Sequence, residues 1–99
     1  MDHFSWNIQK NKKLVRERKV SFDEVAASIR QGHLLDLIEN PNQRRYRGQE
    51  VFIVAIRGYA YMVPFERHGD QTFLITIIPS RKMTRKYLHR NGGGNGQAK

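Results

Sequence analysis

The chain contains no cysteine, which excludes disulfides and thiolate metal sites and suits a reducing compartment. Acidic residues are scarce: 9 Asp and Glu stand against 18 Lys and Arg, a formal net charge of +9. That imbalance points to a polyanionic partner such as nucleic acid, a membrane surface or an acidic protein. No apolar run approaches the ~18 residues that would span a bilayer. The first residues, Met1-Asp2-His3-Phe4-Ser5-Trp6, lack a basic-then-apolar signal pattern. The expectation is a cytoplasmic protein without a membrane role. Four histidines, His3, His33, His68 and His89, are scattered with no pairwise metal-ligand spacing, and there is no HExxH motif or carboxylate cluster. Neither a metal nor a cofactor is therefore expected. Internal repeats are also lacking, and 99 residues leave room for one domain with one modest core.

What is present reads as a small α+β domain over 1–90, followed by a glycine-rich, disordered tail at 91–99. Phe4 to Trp6 forms a short extended lead-in, and Asn7 is placed to cap a polar helix from Ile8 to about Arg18. Ser21 and Glu24 have the spacing of a reciprocal capping box, with Val20 and Val25 closing a hydrophobic staple around it. Phe22, Val25, Ala26 and Ile29 then mark one buried helix face, which Gly32 ends. Strands are expected at Leu34–Glu39, Glu50–Ile56, Tyr59–Phe65 and Phe73–Ile78, forming a four-stranded, mainly antiparallel sheet. Gln43 to Gln49 is an Arg-rich loop, Arg57-Gly58 and Arg67 to Asp70 are turns, and Pro64 marks an edge or a bulge. Pro79 ends the last strand, and Ser80 caps a helix from Arg81 to Leu88.

The basic residues cluster. Lys10 to Lys19 holds one group, Arg44, Arg45 and Arg47 surround Tyr46, and Arg81, Lys82, Arg85, Lys86 and Arg90 form the third. Arg81 and Lys82 break a local rule, because cations are disfavoured at the positive end of a helix dipole. Cations together with unpaired N–H groups at a helix start suit an anion, and phosphate is the obvious one. Tyrosines interleaved with Arg and Lys suit base stacking, and they equally suit ordinary packing. Trp6 fits better as a packing anchor than as a stacking platform.

In their order and spacing these segments resemble the BrnT-type toxins of the RelE-like superfamily. The motifs are Phe4-Ser5-Trp6-Asn7, Val20-Ser21-Phe22-Asp23-Glu24-Val25, Glu39-Asn40-Pro41-Asn42-Gln43, Tyr61-Met62-Val63-Pro64-Phe65, and Ile77-Ile78-Pro79-Ser80-Arg81-Lys82-Met83-Thr84 before Tyr87. The resemblance runs from Phe4 to Leu88. It departs at Ile75, where relatives often carry lysine, and at Pro79-Ser80, where Ser-Ala is commoner. It implies a RelE-like fold and the toxin half of a type II toxin–antitoxin pair. It also implies a ribonuclease that halts translation by cutting RNA, free or on the ribosome. The partner would be a cognate ribbon-helix-helix antitoxin, and operator DNA would be reached only through it.

Metal-independent RNA cleavage requires a base for the 2′-hydroxyl, cations for the crowded phosphate and an acid for the leaving oxygen. On charge and on the resemblance, Arg81 and Lys82 are the candidates that hold the scissile phosphate. Arg85 and Lys86 continue that run along an RNA backbone. Tyr87 either stacks or moves a proton, or else packs on Met83 one turn earlier; Tyr61 reaches the same region or is buried by strand alternation. Glu66 and His68 are the titratable candidates for acid–base work, since histidine ordinarily titrates near neutral pH. Arg44, Arg45 and Arg47 grip RNA or the antitoxin, or are simply solvated. The competing reading is a non-catalytic basic module that binds nucleic acid or sits in a complex without cutting.

Overall fold

The computed structural model describes residues 3–89. Its elements are β1 (His3–Trp6), α1 (Ile8–Arg18), α2 (Phe22–Arg30), β2 (Leu34–Glu39), β3 (Glu50–Ile56), β4 (Tyr59–His68), β5 (Gln71–Leu74), β6 (Ile78–Pro79) and α3 (Arg81–Leu88). The class is α+β, as expected. The sheet, however, has six strands, not four, in the order β1-β5-β4-β3-β2 with β6 also on β4. The pairing of β1 with β5 is parallel and the rest is antiparallel. The expected glycine-rich tail lies outside the described residues.

Local chemistry accounts for the helices. Asn7 accepts the Lys10 N–H at 2.9 Å and starts α1. Ser21 and Glu24 form the reciprocal box, at 3.0 and 3.2 Å, and start α2. Asn11 then ties the two helices, accepting the Phe22 N–H at 2.8 Å. The lead-in becomes β1 because it finds the free edge of β5, where its aromatics have partners. Phe4 meets Phe52 edge-on at 6.3 Å, and Trp6 stacks on Phe22 at 5.7 Å.

The apolar run Phe73–Ile78 is interrupted after Leu74, and its last piece, β6, ends at Pro79 as expected. Phe65 pairs with Leu74 and Met62 with Ile78, so Val63 and Pro64 face the three residues Ile75, Thr76 and Ile77. The extra residue makes a bulge. Pro64 explains its place: its carbonyl accepts the Ile75 N–H at 2.9 Å, but on that same side it has no N–H to give back. The proline thus sits in a central strand, opposite a bulge in its neighbour and not at an edge. The bulge lets Leu74 and Ile77 both enter one core, while Ile75 and Ile78 turn to the other face. Pro79 pairs with Tyr61, and the Ser80 N–H reaches the Ala60 carbonyl at 3.0 Å.

The two faces are covered unequally. On one face α1, α2 and the link between them bury Leu14, Val20, Phe22 and Val25 against Phe52, Val54, Val63 and Phe65. On the other, α3 packs Met83, Tyr87 and Leu88 over Val51, Ile53 and Ala60. Thr84, buried in α3, accepts the Ala60 N–H at 2.8 Å and pins the helix to the start of β4. The far end of that face, around Pro64, is left open. The open end positions the candidate site.

Candidate functional site

The sequence candidates separate into three places. The first is the start of α3. Ser80 accepts the Met83 N–H at 3.1 Å, and the inward positions Met83, Thr84, Tyr87 and Leu88 fix the helix. Arg81, Lys82, Arg85 and Lys86 consequently share the solvent face. The ion pairs among the described residues are Arg57–Glu24, Arg67–Glu50 and His68–Glu66, so no carboxylate pairs with these four cations. Tyr61 lies across from Pro79, close to this helix start, with its ring edge-on to Tyr59 at 5.8 Å. Alternation half-buries it on the α1–α2 face. Arg18 adds a further cation nearby, donating to the Ile77 carbonyl at 2.5 Å.

Tyr87 is in a second place. Its ring packs under α3, the Lys86 ammonium lies 5.3 Å from the ring centre, and its hydroxyl donates to the Asp36 carboxylate on β2. That hydrogen bond, helped by the Leu37 N–H, holds the Asp36 carboxyl below its usual range. The same bond raises the Tyr87 phenol. The geometry gives Tyr87 a clasp between α3 and the edge strand β2.

The third place holds Glu66 and His68. They are not in a turn: β4 continues to His68, which pairs with Gln71 across the two residues Gly69 and Asp70. The strand runs on because β5 gives it a partner past the point where β3 begins. Gly69, at φ +65°, closes the hairpin. As strand residues two apart, Glu66 and His68 point the same way, and His68 Nε2 lies 3.1 Å from Glu66 Oε1. They line an open cleft of about 400 Å³ with Arg47, Gln49, Glu50 and Arg67. Arg67, between them on the strand, alternates to the opposite face, where it lies over the Phe65 ring at 5.2 Å and its Nε donates to Glu50 Oε1 at 2.9 Å; Arg47 has no carboxylate partner among the described residues.

Carboxylate, imidazole and the Arg47 guanidinium in one solvent-open cleft can move a proton and hold a phosphate. This convergence does not include Arg81 and Lys82. Their helix start adjoins Ala60, six residues along β4 from Glu66, roughly 20 Å away at the rise of a strand. Among the arginines of the 43–49 loop, Arg47 reaches the cleft, whereas Arg45 lies over the Tyr46 ring at 5.5 Å. Arg44 is exposed with no carboxylate partner among the described residues. Arg67 and Gln49 were missed by sequence reasoning. Neither left a signal: Glu66, Arg67 and His68 are all polar and show no alternation past Phe65, and a loop such as that of Gln49 has no period.

No group of three or more His, Cys, Asp or Glu among the described residues is arranged to hold a metal ion, and none of their helices is long and apolar enough to cross a membrane. No protein-family model matches the chain, and no curated protein matches it in sequence.

Proposed function

We propose that the protein is a metal-independent RNA endonuclease of the RelE-like kind, the toxin of a type II pair held inactive by a ribbon-helix-helix antitoxin. The observation that carries the chemistry is the Glu66–His68 pair at 3.1 Å in the cleft that Arg47 also lines. In this reading one of the pair takes the 2′-hydroxyl proton as the 2′-oxygen attacks phosphorus. The other protonates the 5′-oxygen as its bond to phosphorus breaks. The products are a 2′,3′-cyclic phosphate and a free 5′-hydroxyl. Arg47 stabilises the charge that builds on the phosphate between these events. The exposed cations of α3 bind the strand a few nucleotides away. The toxin–antitoxin assignment rests on the sequence motifs from Phe4 to Tyr87.

The test is incubation of the partner-free protein with RNA in excess EDTA, once with free RNA and once with translating ribosomes. Fragments ending in a cyclic phosphate are expected in at least one of the two. Intact RNA in both would overturn the reading. A non-cutting nucleic-acid module has its own support in the distance between the α3 cations and the titratable pair; RNA retained but uncut would favour it.

A further inference from the structure

The open half of the α3 face contains a second cleft, of about 320 Å³, that the chemistry above does not use. Its floor is apolar, built from Val51, Met62, Pro64, Ile75 and Ile78, and Tyr46 stands in its wall. A volume of this size lies at the lower end of ligand pockets, which typically run from about 300 Å³ upward. The floor exists because of the bulge opposite Pro64, which turns Ile75 and Ile78 to this face together.

We infer that this cleft receives one unpaired nucleobase of the RNA, next to the phosphate at Glu66 and His68. The inference rests on the endonuclease reading for its neighbour and on separate observations for itself. The two clefts adjoin. Met62, Pro64, Glu66 and His68 alternate onto one face of β4, and Gln49 lines both clefts. Pro64 and Glu66 are two residues apart, about 7 Å along a strand, so a base in one cleft puts its own or the adjacent phosphate in the other. The charge also fits. The wall loop carries Arg44, Arg45 and Arg47, none with a carboxylate partner among the described residues, and Arg45 already lies over the Tyr46 ring at 5.5 Å. An aromatic face backed by arginine is a stacking platform for a base.

The loop is also built to hold an edge-reading group. Asn40 Nδ2 donates to Gln49 Oε1 at 2.7 Å, Gln43 Nε2 donates to the Asn40 carbonyl at 2.7 Å, and the Gly48 N–H donates to Gln43 Oε1 at 3.0 Å. This chain of amides fixes Gln49 with its Nε2 donors unspent on any acceptor among the described residues. A base presenting an acceptor edge there is read by hydrogen bonding as well as by stacking. The cleft therefore confers preference for one base beside the cut.

The test is equilibrium binding of short single-stranded RNAs, each followed by fluorescence anisotropy and matched by an oligonucleotide with one abasic position. Cleavage in EDTA is followed in parallel. The wild type is expected to bind the abasic RNA several-fold more weakly and to rank the four bases unequally. Tyr46→Ala should weaken binding about 5- to 150-fold without changing its salt dependence, and Tyr46→Phe should restore it. Because Tyr46 is exposed, both variants should fold as the wild type does, which their thermal unfolding checks. Gln49→Ala should flatten the ranking among bases. Equal affinity for normal and abasic RNA, with no effect of Tyr46→Ala, would overturn the inference, as would no RNA binding at all. Base-dependent binding without cleavage would keep the slot and remove the endonuclease. Cleavage without base dependence would do the reverse.

Discussion

At the scale of single residues, exposure and partners decide which candidates are free to act. Glu66 and His68 became a pair only because β4 outlasts its expected end, and no local signal in Arg67 to Asp70 separates a strand from a turn. Glu66, Arg67 and His68 are all polar, so alternation stops at Phe65, and Gly69 and Asp70 invite a turn placed too early. Tyr87 was legible as an inward residue from its spacing to Met83. Its hydroxyl partner, Asp36, was not, since a β2 residue 51 positions away leaves no trace in spacing. This clasp makes a prediction about pH. Asp36 is lowered by the Tyr87 hydroxyl, so its share of stability is present above the ordinary carboxylate range and lost as pH falls through the lowered value. Tyr87 is raised, so its share is full below the ordinary phenol range and lost as pH climbs through the raised value. The stability gap between the wild type and Asp36→Asn should be flat across neutral pH and close at both extremes. Denaturant titrations at a series of pH values check this. A gap that changes most near neutrality would contradict it.

At the scale of elements, the helices were readable because their signals are local. The capping box of Ser21 and Glu24, the Asn7 cap and the Ser80 cap each lie within four residues of what they satisfy. Phe22 follows from the same pattern: fully buried in α2 and stacked on Trp6, it should cost about 3–5 kcal/mol when replaced by Ala, measured by denaturant unfolding. The sheet was less readable. The number of strands depends on β1 pairing with a strand 68 residues later in register, His3 with Gln71. Such a long-range pairing has no counterpart in periodicity. The bulge was half visible: Pro64 announced an irregularity but could not say that the neighbour would yield instead. For α3, the inward Met83, Thr84, Tyr87 and Leu88 leave four cations outward, on the face that their helical spacing assigns them. If they lie on an RNA backbone, Arg81→Ala with Lys82→Ala should weaken binding to all sequences alike. It should also reduce the salt slope by about 0.7 for each phosphate that is no longer neutralised. An unchanged slope would remove α3 from the RNA path.

At the scale of the whole molecule, the two faces of the sheet are covered unequally. α1 and α2 seal one side of the sheet, and α3 seals only part of the other. The uncovered part is a trough along β4, apolar at Met62 and Pro64 and titratable at Glu66 and His68, walled by the loop from Asn40 to Gln49. Composition made a polyanion the expected partner, and the motifs made RNA the expected one. The trough itself was beyond the sequence, because it arises where elements fail to cover one another. The central claim is that this trough, and not the start of α3, performs the chemistry. The most direct measurement compares the wild type, His68→Ala and Arg81→Glu for RNA cleavage in EDTA and for RNA binding. His68→Ala should lose about a hundredfold to ten-thousandfold in cleavage rate while binding RNA nearly as before, and Arg81→Glu should lose binding first. Cleavage by His68→Ala at the wild-type rate would contradict the account.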